Sequence, residues 1–129
     1  MNSAAAIKSY QNVRTQTGVT DASPHRLIQM LMEGGLERMA QAKGAISLND
    51  DALRSQFLSK SIAIIGGLQM ALDFDKGGDV AITLNDLYDY MVRRLYEANR
   101  TADVEIINEV AQLLGNVKQG WDGIADQVD

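Results

Sequence analysis

Leu72-Asp73-Phe74-Asp75-Lys76-Gly77-Gly78-Asp79 joins two apolar-periodic segments, and the second continues as Leu87-Tyr88-Asp89-Tyr90-Met91-Val92-Arg93-Arg94-Leu95-Tyr96-Glu97-Ala98-Asn99. Beyond the paired glycines, Leu84, Leu87, Tyr88, Met91, Leu95 and Ala98 recur at the three- and four-residue spacing that puts side chains on one helical face. Asp79 is expected to cap this helix, and Asp89 and Arg93, four apart, to support it as a charge pair. Before the glycines, Leu58, Ile62, Ile65, Leu68 and Leu72 form a second stripe, which opens after the turn-and-cap sequence Asn49-Asp50-Asp51.

Working outward, Ser23-Pro24 marks a sharp helix start: serine caps free amides, and proline fits the first helical position without sacrificing a needed hydrogen bond. Leu27, Ile28, Leu31, Gly35, Met39, Ala42 and Ile46 then predict a helix over about residues 24–46. On the other side the period breaks near Asn99 to Asp103, and Ile107, Val110, Leu114, Val117 and Trp121 predict a last helix ending close to Gly123. Helices of about 20 residues are each about 30 Å long, and short connections make them antiparallel neighbours. The expected fold is all-α, an antiparallel up-and-down four-helix bundle over residues 23–124. Residues 1–22 are expected to form a short, mobile N-terminal helical segment. Its sparse apolar groups, Ile7, Tyr10 and Val13, read either as a cap that docks in a groove and is displaced by a competing helix, or as an ordinary frayed terminus.

With 129 residues and 46% hydrophobic content, one domain can bury a continuous core without metal or disulfide support. There is no cysteine, so neither a disulfide framework nor thiolate chemistry is available. Seventeen acidic residues against twelve Lys plus Arg leave a net charge of -5, and no basic-aromatic interleaving offsets it, which argues against a nucleic-acid partner. Lys8 is the one early cation, no long apolar run follows it, and no later stretch reaches the roughly 18 apolar residues of a membrane span. No membrane insertion and a cytoplasmic location are therefore expected.

Catalytic and metal chemistry find no set of residues. Asp73, Asp75 and Asp79 suggest a calcium loop, but Gly77 and Leu84 stand where an EF-hand needs ligands, and capping explains the carboxylates. His25 is the sole histidine, without a second ligand or a nucleophile, and a solvated helix-start position is expected for it. No cofactor and no enzymatic activity are expected. The helix-interior glycines, Gly34-Gly35, Gly44, Gly66-Gly67, Gly115 and Gly120, read either as close backbone packing or as a surface that yields to a bound helix. The methionines read either as core filling or as an adaptable groove. Tyr88 follows the apolar stripe, whereas Tyr90 lies off it and is expected to be exposed.

The block "LDFDKGG…LYDYMVRRLYEAN" resembles the flagellar secretion chaperone family, FliS. Ser23 to Gly34 is similar to that family's "TASPHRLIQMLYEGAL" helix start, and Glu109-Val110 through Leu113-Leu114 to Trp121 resembles its last helix. The resemblance covers roughly residues 7 to 124, with Met32 where the family often has tyrosine and Asp21-Ala22 in place of threonine-alanine. It implies a helical bundle that binds the disordered C-terminal region of flagellin along hydrophobic surfaces in the cytoplasm. Holding that region prevents premature polymerisation until the flagellar export apparatus takes the subunit. The export gate enters as a further candidate partner. Implied contacts are Ile7 and Tyr10 for the cap and Leu27, Met30, Leu31, Tyr88, Tyr90, Met91 and Leu95 for the groove. The alternative from another class is a non-enzymatic helical adaptor that binds a folded partner, or forms a homodimer, through the same faces.

Overall fold

Each of the three turns in the described chain is closed by the residues that flank it, and this sets where each helix stops and the next begins. The computed structural model describes residues 22–124. It has four helices, α1 (Pro24–Ser47), α2 (Asp51–Met70), α3 (Phe74–Thr101) and α4 (Val104–Gly123), and no strand among the described residues. Ser23 Oγ accepts from the Arg26 amide at 3.0 Å, with Pro24 in the first turn. At the other end of α1, Asn49 takes a left-handed φ of 55°. This lets the Asn49 and Asp50 amides reach back to the carbonyls of Ile46 (3.0 Å) and Ala45 (2.9 Å), which satisfies two of the carbonyls at the end of the helix. Asp50 then caps α2 by accepting from the Leu53 amide at 3.0 Å. Ala102, also left-handed at φ 53°, ends α3 in the same manner, and Asp103 caps α4.

The start of α3 differs from the sequence expectation. The capping carboxylate is Asp73, which accepts from the Lys76 amide at 3.0 Å, so the helix begins before the glycines instead of at Asp79. One turn, Phe74 to Gly77, forms, then Gly78 breaks the helical path at φ 50°, ψ −126° before the helix resumes. Only glycine enters that region without steric conflict, so the sequence signal of a turn survives as a kink inside the element. The Asp89–Arg93 pair also does not form. Asp89 Oδ1 accepts from Gln69 Nε2 at 2.8 Å, and the Arg93 guanidinium lies 6.0 Å from the Tyr90 ring centroid. A cross-helix amide donor thus displaces the along-helix cation.

Helix neighbours are antiparallel all round. Ser61 Oγ of α2 donates to the Gly35 carbonyl of α1, Gln69 of α2 reaches Asn85 of α3, Tyr90 of α3 reaches Glu109 of α4, and Lys43 of α1 reaches Asn108 of α4. Together with the packing of α1 on both α2 and α4, these contacts close the expected up-and-down bundle. The core runs through Met32, Met39, Leu58, Ile65, Met91, Leu95, Ile107 and Leu114, all essentially removed from solvent. Methionine serves mainly as filling here: Met32, Met39 and Met91 are buried and Met70 is exposed at 37%.

The glycines divide by environment. A Cβ at Gly35 would stand 3.2 Å from Leu114 Cδ2 and 3.4 Å from Ile64 Cγ2, so α1 approaches both neighbours closely at this point. Gly44, Gly66 and Gly115 face open space. Replacing Gly66 and Gly115 together with alanine should therefore stabilise the bundle by about 2 kcal/mol, from helix propensity alone. Urea unfolding measures it, and a loss of stability would mean that these backbones do need the room.

Candidate functional site

The break at Gly78 lies at the end of the bundle where α1 begins, α2 ends and α4 finishes, and the described residues there surround a cavity of about 780 Å³. Ile28 and Met32 come from α1, Leu68, Ala71 and Leu72 from the end of α2 and its turn, and Val80, Ala81, Leu84 and Tyr88 from α3. Val117, Gly120, Trp121 and Ile124 complete the wall from α4. Asp73, Lys76 and Asn116 supply polar groups to an otherwise apolar lining. Val80 in the lining is 68% exposed, and Met70 and Phe74, which flank the lining residues Ala71, Leu72 and Asp73 in the chain, are each 37% exposed, so apolar surface continues from the cavity onto the outside.

Tyr88 is 2% exposed, and burial pushes its phenol up to about 12, which keeps it neutral at any physiological pH. His25 corrects the sequence expectation, because it is buried at 3% exposure and not solvated. Its Nε2–H donates to the Trp121 carbonyl at 2.7 Å, and Trp121 Nε1–H donates to the His25 carbonyl at 3.0 Å. The two rings stack with centroids 4.6 Å apart. A carbonyl only accepts, so this geometry assigns the proton to Nε2. Beside the stacked pair, Asp122 accepts from Gln29 and Lys118, each at 2.7 Å, and the Lys118 ammonium foremost holds its carboxyl below the usual range.

The candidate contacts named from the sequence fall in different places. Tyr88 lines the cavity. Leu27, Leu31, Met91 and Leu95 are buried at 5%, 6%, 0% and 0% exposure, and Met30 is half-buried outside the lining. Tyr90 is half-buried and not open as expected, because its hydroxyl donates to Glu109 Oε2 at 2.6 Å across the α3–α4 seam. Ile7 and Tyr10, with all of the expected cap up to residue 21, lie outside the described residues. Sequence reading missed Leu68, Val80, Ala81, Val117 and Trp121 as cavity residues. The available signal was the glycine pair: apolar residues just after a helix break cannot all be covered by neighbours that run straight.

Glu109 also accepts from Arg94 Nε at 2.9 Å, and the Tyr90 hydroxyl, then Arg94, hold its carboxyl below the ordinary value. A carboxyl that ionises more readily when folded contributes stability that is complete above the unfolded value, about 4.3 for glutamate, and is lost as pH falls through the lower folded value. Urea unfolding should therefore show a steeper acid loss for wild type than for Glu109→Gln, and parallel curves would remove Glu109 from the acid response.

Nothing among the described residues forms a metal-holding cluster, and no described helix is long and apolar enough to cross a membrane. What the arrangement offers is burial of apolar side chains presented by another molecule, at about 0.8 kcal/mol for each methylene removed from water. The sequence profile described as "Flagellar protein FliS" matches residues 6–128. The chain is 51% identical over 120 residues to the flagellar secretion chaperone FliSB of Pseudomonas aeruginosa, an alignment covering 93% of this chain and 95% of that one. It is 41% identical to the flagellar secretion chaperone FliS of Salmonella typhimurium, covering 97% and 93%, and 29% identical to that of Bacillus subtilis, covering 90% and 86%. A helical bundle, an apolar cavity where it opens and likeness across nearly the whole length agree, and the chain belongs to the FliS family of flagellar secretion chaperones.

Proposed function

We propose that this protein is a cytoplasmic export chaperone that binds the disordered C-terminal region of flagellin, keeps it from polymerising prematurely and supports its delivery to the flagellar export apparatus. The observation that carries the reading is the apolar cavity of about 780 Å³ and its continuation over Val80 and Phe74. A disordered chain able to present an apolar face gains by burying it there, and once buried that face no longer drives subunit association. Binding alone accomplishes this; no bond is made or broken. The net charge of -5 affects encounter and release more than net affinity.

The cavity walls, Tyr88 among them, are proposed as first contacts. Leu27, Leu31, Met91 and Leu95 are buried and reach a partner only where the helices part, so they form a second tier. Met30 and Tyr90, both half-buried, extend the surface. Segment 1–22, through Ile7 and Tyr10, is proposed as a cap competing for the same apolar surface.

The test is calorimetric titration with a peptide of the flagellin C-terminal region, paired with far-ultraviolet circular dichroism of the mixture. Saturable binding with gained helicity supports the reading. A folded protein that leaves the peptide unbound sinks it in favour of an adaptor for a folded partner, and sedimentation of the free protein would then decide whether that partner is a second copy.

A further inference from the structure

We propose that His25 is a positioning residue for the cavity: it holds the Trp121 indole as a preformed wall against which a partner's apolar side chains dock. The proposal rests on the reading of this cavity as the partner site. Trp121 is half-buried and lines the cavity, whereas His25 is buried and does not line it. The pair joins the first turn of α1 to the last turn of α4, and both are places where a helix frays unless tied down. Three contacts tie them: the Nε2–H bond to the Trp121 carbonyl at 2.7 Å, the indole N–H bond to the His25 carbonyl at 3.0 Å, and ring stacking at 4.6 Å and 11°. Gln29 and Asp122 brace the same seam from outside at 2.7 Å.

The α3 side offers no such restraint. Among the described residues, the polar side-chain links from α3 to α4 end on Glu109, early in α4, and none reaches Trp121. The indole packs against the apolar core, but its hydrogen bonds and its ring stacking come from α1 alone. An indole fixed before binding loses no freedom when a partner docks, whereas one free to turn must be immobilised then, which weakens binding about three- to tenfold. Histidine suits the position because one flat side chain both stacks and donates. Alanine would do neither, and phenylalanine would only stack.

The experiment uses the full chain as wild type, His25→Ala, His25→Phe and, as a stability control, Asn99→Ala. Asn99 accepts from Arg54 and Ser55 at 3.0 and 3.1 Å and is absent from the cavity lining. Each is titrated below its unfolding range with the flagellin C-terminal peptide and, independently, with the apolar naphthalene dye ANS. Trp121 is the chain's one tryptophan, so time-resolved fluorescence anisotropy reports indole motion directly. The expected result for His25→Ala is about three- to tenfold weaker binding of both probes with faster indole motion, partly recovered in His25→Phe and not seen in Asn99→Ala. Unchanged affinity in His25→Ala, or an equal loss in Asn99→Ala, overturns the proposal. If wild type leaves the peptide unbound, the flagellin reading fails on its own. The dye and anisotropy then decide this one: the same loss sustains His25 as the holder of the wall, and unchanged values overturn it.

Discussion

Val117→Asp should weaken capture of the flagellin C-terminal peptide by on the order of 100-fold or more while the bundle stays folded, because a short carboxylate then sits where apolar side chains must dock. Val117 is half-buried in the cavity wall, one helical turn before Trp121, and not among the fully buried core residues. A valine in that position tolerates a charge while the cavity is open to water, since the carboxylate keeps its hydration. Docking removes that hydration without supplying a partner, so the penalty falls almost wholly on the complex. Aspartate is the sharper choice than glutamate, whose longer stem could carry the charge toward the polar groups of Lys76 and Asn116. Calorimetric titration against wild type, with a thermal melt of each protein, separates the two effects. Wild-type affinity in a folded Val117→Asp protein would move the docking site away from this cavity.

Leu95→Ala should produce the opposite pattern, a large loss of stability with a peptide affinity reduced far less than in Val117→Asp when measured well below the melting transition, as fits a second-tier contact. Leu95 is fully buried on the inner face of α3, and leucine-to-alanine changes at such sites cost about 3 kcal/mol through lost transfer energy and a residual cavity. For a domain of this size the melting temperature should fall by on the order of 15 °C. Tyr96→Ala, one residue along but 61% exposed, should shift it by no more than a few degrees, about 0.5 kcal/mol. Circular dichroism melts measure both. An affinity loss at Leu95 matching that at Val117 would mean that the partner penetrates between the helices and meets this residue directly.

The contrast between these two positions shows how far periodicity alone reaches. Leu95 and Tyr88 sit on the same stripe of α3, and nothing in their spacing separates the one sealed in the core from the one that also lines a cavity. Val117 and Trp121 were readable as inward-facing residues of the last helix, and they are inward-facing. What they face depends on where α3 runs, and that depends on the Gly78 backbone. His25 was misread for a related reason: its place in the first helical turn, between Pro24 and Arg26, reads as a solvated helix start, and its burial involves a residue 96 positions away.

By itself the sequence determined the four helices, their order and most of their ends. Amphipathic spacing, the caps Ser23 and Asp50 and the turn at Asn49 act within one or two turns of chain, so they are legible without knowledge of anything distant. Its motifs also carried the family resemblance. Only the tertiary structure decided which apolar residues close on each other and which are left around a cavity, that His25 and Trp121 clasp, and that Gln69 displaces Arg93 as the partner of Asp89. Those outcomes are contests between groups far apart in the chain, settled by geometry and desolvation once the helices have packed, and local spacing holds no record of them.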